Sequence, residues 1–101
     1  MAFKIIWSET ARDDLQAIVL YIAGDNPFAA ESFGCRIIGK VDVLAQFPLI
    51  GRMVPEANDS TLRELVFRPY RIIYQVNLEE QLVAIVRIWH GARGEPEIPE
   101  N

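Results

Sequence analysis

The sequence predicts an α+β domain: an N-terminal strand, an antiparallel helical hairpin, then a three-stranded antiparallel meander. Three observations carry this. Apolar residues recur at helical spacing from Ala11 to Leu44. The period changes to two after residue 61, in segments rich in β-branched and aromatic residues. The links between those segments, Arg68-Pro69 and NLEE, are too short for parallel crossovers. With that order of elements the hairpin packs on one face of a single sheet.

Each element has a local reason. FKIIW (3–7) reads as a strand, and Ser8 stands where a helix N-cap belongs, with Glu9, Asp13 and Asp14 near the positive end of the helix dipole. Ala11, Leu15, Ile18, Val19 and Ile22 give one amphipathic helix over 9–24, stopped by Gly24, Asp25 and Asn26. Asn26 then caps a second helix with Pro27 at its first position, where the missing N–H costs nothing. Its apolar stripe is Ala30, Phe33, Ile37, Val41 and Leu44. Gly34 and Gly39 lower helix propensity, which close approach of the two helices would explain. Pro48 ends the helical half, and PLIGRMVPEANDS (48–60) reads as a loop. Strands follow at LRELVF (62–67), YRIIYQV (70–76) and QLVAIVRIW (81–89). On the second of these Tyr70, Ile72, Tyr74 and Val76 share one face, and Arg71, Ile73 and Gln75 the other. The domain spans 1–93, and the acidic GEPEIPEN tail (94–101) is expected to be flexible.

Composition narrows the function classes. The chain has 101 residues, half of them apolar, which suits one globular domain. The opening MAFKIIWSETARDD reads as neither signal peptide nor membrane span, so a cytoplasmic protein without membrane association is expected. One cysteine excludes an internal disulfide, and with a single histidine no zinc site and no cofactor is expected. Cys35 reads as a small buried core residue. The net charge of −4 conceals an asymmetry: residues 63–93 carry Arg63, Arg68, Arg71, Arg87 and Arg93 against Glu64, Glu79 and Glu80. Overall acidity disfavours strong nonspecific nucleic-acid binding, since that affinity comes mainly from neutralised phosphates, but a local arginine patch survives the argument.

The candidate side chains each have a structural and a functional reading. Arg71 points away from the Tyr70 face, as an ion-pair partner or as a site residue. Arg63 and Arg87 read as cross-strand charges pairing with Glu64 or Glu79. Arg52 sits in the loop, where positioned residues are often functional. Trp89 reads as a packing residue rather than a platform for a base. His90, in IWHGAR, either caps the strand end through one ring nitrogen, or binds a target together with Arg93, or acts as a general acid.

Four blocks in order, WSETARDDLQAIVLYIAGDNPFAAESF, FPLIGRMVPE, LRELVFRPYRIIYQV and VRIWHGAR, resemble the RelE/ParE superfamily of bacterial toxins, the toxic half of type II toxin-antitoxin (plasmid stabilisation) modules. The resemblance implies the same fold of a helical hairpin on a small antiparallel sheet. It also implies a cognate antitoxin whose C-terminal segment wraps the toxin, with operator DNA reached only through that antitoxin. RelE-like members cleave mRNA on the ribosome, whereas ParE-like members poison DNA gyrase. RNA cleavage needs a group to activate the 2'-OH, a proton donor for the leaving oxygen, and cations for the phosphorane. Arg71, Arg93 and His90 match positions that RelE-like nucleases use. Against this, RELVF puts Glu64 and apolar residues where those enzymes carry paired lysines, the tail has no tyrosine, and the pI is near 4.9. The resemblance therefore favours a ParE-like gyrase inhibitor with no catalytic residues, contacting its target through Arg63, Arg71, His90 and Arg93, with Tyr70 and Arg52 beside them. The alternatives are a RelE-like endonuclease using Arg71, His90 and Arg93, and a non-toxic antitoxin-binding or co-repressor module. The antitoxin is expected on the apolar surface of the hairpin and at the sheet edge, adding a strand.

Overall fold

The computed structural model describes residues 2–99. Strand β1 (Lys4–Trp7) leads into helix α1 (Glu9–Ala23), helix α2 (Pro27–Asp42) and a 3-10 turn (Val43–Ala45). Strands β2 (Arg52–Met53), β3 (Leu62–Phe67), β4 (Tyr70–Asn77) and β5 (Leu82–His90) follow, closed by a second 3-10 turn (Gly91–Arg93). The sheet order is β1-β5-β4-β3-β2. Strand β1 runs parallel to β5, and the other neighbours are antiparallel. The predicted α+β architecture is the observed one.

The caps act as expected. Ser8 Oγ accepts the Ala11 N–H at 3.0 Å, and Asn26 Oδ1 accepts the Ala29 N–H at 3.1 Å with Pro27 opening α2. The hairpin lays Ala11, Ile37, Val41 and Leu44 on Ile72, Tyr74 and Val76 of β4 and on Val83, Ile85 and Ile88 of β5, with Phe33 partly buried beside them. A second, smaller cluster of Val54, Leu62, Ile73, Val86 and Trp89 covers the opposite, open face.

One irregularity decides which β5 side chains face which way. Ile73 opposes Arg87 while Tyr74 opposes Ile85, so Val86 is an extra residue bulged out of the ladder. Ile85 and Ile88, three apart, thereby both reach the hairpin core, and Val86 and Arg87 both face the open side. Strand β1 covers β5 only as far as Ile85. Beyond it the start of α1 takes over: Ser8 N–H donates to Ile85 O, Ser8 Oγ donates to Val86 O, and Ile88 N–H donates to Asp14 Oδ2. An edge that would otherwise present unpaired backbone groups is closed by the helix.

Three expectations need correction. The 48–60 segment contains β2, paired with Arg63 and Glu64 of β3. Cys35 is exposed rather than buried, because it lies outside the Phe33, Ile37, Val41 stripe of α2. Close helix approach does not account for the two α2 glycines: a Cβ at Gly34 would meet Val19 in ordinary contact at 3.8 Å, and one at Gly39 would meet nothing within 4 Å. Among the described tail residues, Gly94 O accepts the Trp89 indole N–H, Glu97 O accepts from Arg87, and Ile98 packs on the open-face cluster. Residues 100 and 101 of the expected flexible tail lie outside the described residues. No helix among the described residues is long and apolar enough to cross a membrane.

Candidate functional site

The register distributes five of the six candidate side chains over two faces, and Arg93 follows β5 in the second 3-10 turn. Arg52 opposes Glu64, Glu64 opposes Ile73, and Arg71 lies between Val66 and Trp89, which places Arg52, Glu64, Arg71, Arg87 and Trp89 on the open face. Arg63 opposes Tyr74, and Tyr70 opposes His90, on the hairpin face.

On the open face the centre is an acid. Glu64 is 1% exposed. Its Oε2 accepts from Arg52 Nε at 2.5 Å, and its Oε1 accepts from Arg71 Nε at 2.6 Å and lies 2.5 Å from Arg71 Nη2. The outer edge of the Arg71 fork is taken by Glu56, with Nη1 and Nη2 donating at 2.9 and 2.7 Å. Arg71 thus spends its donors on two carboxylates in a bidentate geometry that favours both charges. The hydrogen bond from Arg71 holds the Glu56 carboxyl below its ordinary range, and the same bonds push the Arg71 guanidinium up. A buried carboxylate of this kind is tolerated only because it is fully paired.

Arg87 of the open face and Arg93 of the closing turn stack on Trp89, which is 2% exposed, at 4.8 Å and 4.1 Å from its ring. Trp89 is a packing residue, as its setting in the sequence suggested. Arg87 does not pair with Glu64 or Glu79. Its Nε and Nη2 donate to Asp14 of α1 at 3.0 and 2.8 Å, because the bulge turns it toward the edge that α1 closes. Bonding to Asp14 raises the Arg87 pKa.

On the hairpin face His90 Nδ1 accepts the Ala92 N–H at 3.0 Å. This is the strand-end cap. Tyr70 meets His90 edge-on at 5.1 Å and Phe33 at 5.1 Å on its other side. Burial pushes the Tyr70 phenol up, with Tyr21 adding to it. Tyr70, His90 and Arg93 line one cleft with Asp14, Tyr21 and Ile88. Arg63 pairs with neither Glu64 nor Glu79: its Nη1 donates to Gly51 O at 3.0 Å and Leu49 O at 3.4 Å, tying the 49–51 segment to β3. Tyr74 Oη accepts the Gly51 N–H at 2.9 Å, and a Cβ at Gly51 would fall 2.5 Å from both that hydroxyl and Glu64 O. Only glycine fits there.

The structure therefore brings Arg52 and Arg71 together on Glu64, and Tyr70, His90 and Arg93 together at the cleft, but separates Arg71 from His90. Glu56, Tyr74 and Asp14 were not among the sequence candidates. A lone acid inside the apolar strand LRELVF was the available signal for the ion cluster. Among the described residues no group of histidine, cysteine and acids is placed to hold a metal ion.

A helical hairpin packed on one face of a small sheet is the fold this chain shares with solved toxin chains. The family model described as ParE toxin of the type II toxin-antitoxin system parDE matches residues 5–94, and the chain belongs to that family. It is 42% identical to the toxin RelE2 of Caulobacter vibrioides over 91 residues, 89% of this chain and 97% of the relative. It is 36% identical to the putative toxin Y4kP of Sinorhizobium fredii over 97 residues, 94% and 95% of the two chains. Among solved structures, a chain of the chromosomal ParDE system from P. aeruginosa superposes with TM-score 0.71 at 24% identity, covering 88% of this chain and 96% of that one. E. coli toxin RelE, a mutant in the free state, gives 0.63 at 18% identity, over 93% and 88%. The chain is a type II toxin-antitoxin toxin of the RelE/ParE superfamily.

Proposed function

We propose that this toxin acts as a ParE-like inhibitor of DNA gyrase and is neutralised by a cognate antitoxin. The observation that carries the reading is the state of Arg71. A nuclease arginine must be free to meet a phosphorane, and this one is saturated by Glu64 and Glu56. His90 lies on the other face and spends one nitrogen on the Ala92 N–H. Together with the acidic net charge this supports a protein target over a ribosomal RNA site. Target contact falls to Arg93 and His90 at the cleft, with Tyr70 beside them, and to the outer nitrogens of Arg52. The antitoxin is assigned to exposed apolar side chains, among them Leu20, Tyr21 and Phe28 around the turn between α1 and α2 and Phe47, Ile50 and Met53 leading into β2.

The RelE-like alternative is favoured by one observation, the 42% identity to a relative named RelE2. In it Arg71, His90 and Arg93 would cleave mRNA, which requires Glu56 to leave Arg71 and requires Arg71 to act with His90 from the opposite face of the sheet. The same purified protein, assayed for gyrase supercoiling and for cleavage of mRNA on ribosomes, separates the two. Inhibited supercoiling with intact mRNA is expected, and cut mRNA with normal gyrase overturns the proposal.

A further inference from the structure

We propose that Glu56 is a removable plug on a carboxylate-binding site formed by Arg71 and Arg52, and that the site's external ligand is an acidic side chain of a protein partner.

The two carboxylates around Arg71 are not equivalent. Glu64 is on β3, fully buried, and grips both arginines through its two oxygens, so it belongs to the frame of the site. Glu56 lies outside any strand or helix, its side chain is 29% exposed, and among the described residues its side chain pairs with Arg71 alone. Removing it from the fork takes side-chain rotation and no break in the sheet. With Glu56 turned away, Arg71 keeps its orientation because Glu64 still holds Nε, and its Nη1–Nη2 edge opens to solvent. Arg52, 60% exposed, commits only Nε among the described residues and stands close enough to act on the Glu56 charge. Two arginines and one carboxylate leave the opened site with one net positive charge, already oriented for a bidentate oxyanion.

The present occupant, Glu56, is itself a carboxylate, which shows what fits the edge. Nucleic acid would need several adjacent free cations, and here Arg87 is bound to Asp14 and the whole chain is acidic. An aspartate or glutamate of a protein is the ligand that the geometry favours. The inference rests on the proposed function only in taking Arg71 as a residue that does not cleave RNA. Ribosomal mRNA cleavage that Arg71→Lys abolishes would fail that reading, whereas an unaltered titration of the kind described next would fail this one.

The test is an NMR titration of the full chain with an N-acetylated tri-glutamate peptide amide, following the Arg71 Nε–H resonance, with inorganic phosphate and a short oligonucleotide as parallel probes. Glu56→Ala and, less strongly, Glu56→Gln should bind the peptide at least tenfold more tightly than the unaltered chain, and adding Arg71→Lys should remove the gain. Arg71→Lys disturbs a buried pair, so the shift of the Arg71 Nε–H signal in Glu56→Ala is an independent readout. Equal titration of the unaltered chain and both Glu56 variants, a gain that leaves the Arg71 signal unmoved, or phosphate or oligonucleotide binding without peptide binding would each overturn the proposal.

Discussion

Glu64 is the residue on which the open face depends. Its carboxylate is buried under two guanidiniums, and deleting one member of such a group strands the others in a site they cannot leave cheaply. Glu64→Ala should therefore lower unfolding free energy in urea by about 3 kcal/mol. Arg52→Ala, at the exposed end of the same cluster, should cost less than about 1 kcal/mol. Equal losses for the two would show that burial does not set the cost. Gly51 makes a second test, because its missing Cβ is what admits Tyr74 Oη and the β3 backbone. Gly51→Ala should cost about 1 to 3 kcal/mol by overpacking, read in the same urea titration. At this scale the sequence was partly legible. Arg71 and Arg52 stood out as candidates, and RELVF showed an acid in an apolar strand. Their joining on one carboxylate depends on β2 registering against β3, and a two-residue strand inside a proline-containing loop leaves no periodic trace.

Among the elements, α1 does more than cover the core. Its N-cap Ser8 bonds both the helix start and the β5 backbone, and Asp14 from the same helix takes Arg87 and the Ile88 N–H. Ser8→Ala should cost about 1 to 2 kcal/mol, more than Asn26→Ala, whose exposed cap serves α2 alone. Thermal unfolding of the two variants compares them directly, and equal shifts would contradict the double role of Ser8. Caps, helix stripes and strand faces on β3 and β4 could be read from spacing because each is local. The β5 faces could not, since the bulge at Val86 breaks the alternation and redirects Arg87 from a strand partner to Asp14. The parallel pairing of β1 with β5 was hidden for a related reason: it joins the first and last strands, and no local pattern records it.

At the scale of the molecule, stability should fall at both ends of the pH range. Glu56 is held below its ordinary value of 4.5, so its ion pair contributes stability above that value that is lost as pH falls through its lower folded pKa. Burial raises Tyr70 and Tyr74 above their ordinary value of 10.0, so the folded state holds those protons more tightly and loses stability as pH rises from there. Urea midpoints measured across pH should show both declines, with Glu56→Gln flattening the acid one. On the proposed reading, the exposed apolar side chains and an Arg71 neutralised from within serve contact with proteins. The most direct measurement of that claim places the purified toxin beside gyrase on relaxed plasmid, and in parallel on translating ribosomes. Loss of supercoiling with uncut mRNA is the result the account predicts. Cleaved mRNA with full gyrase activity, abolished by Arg71→Lys, would contradict it.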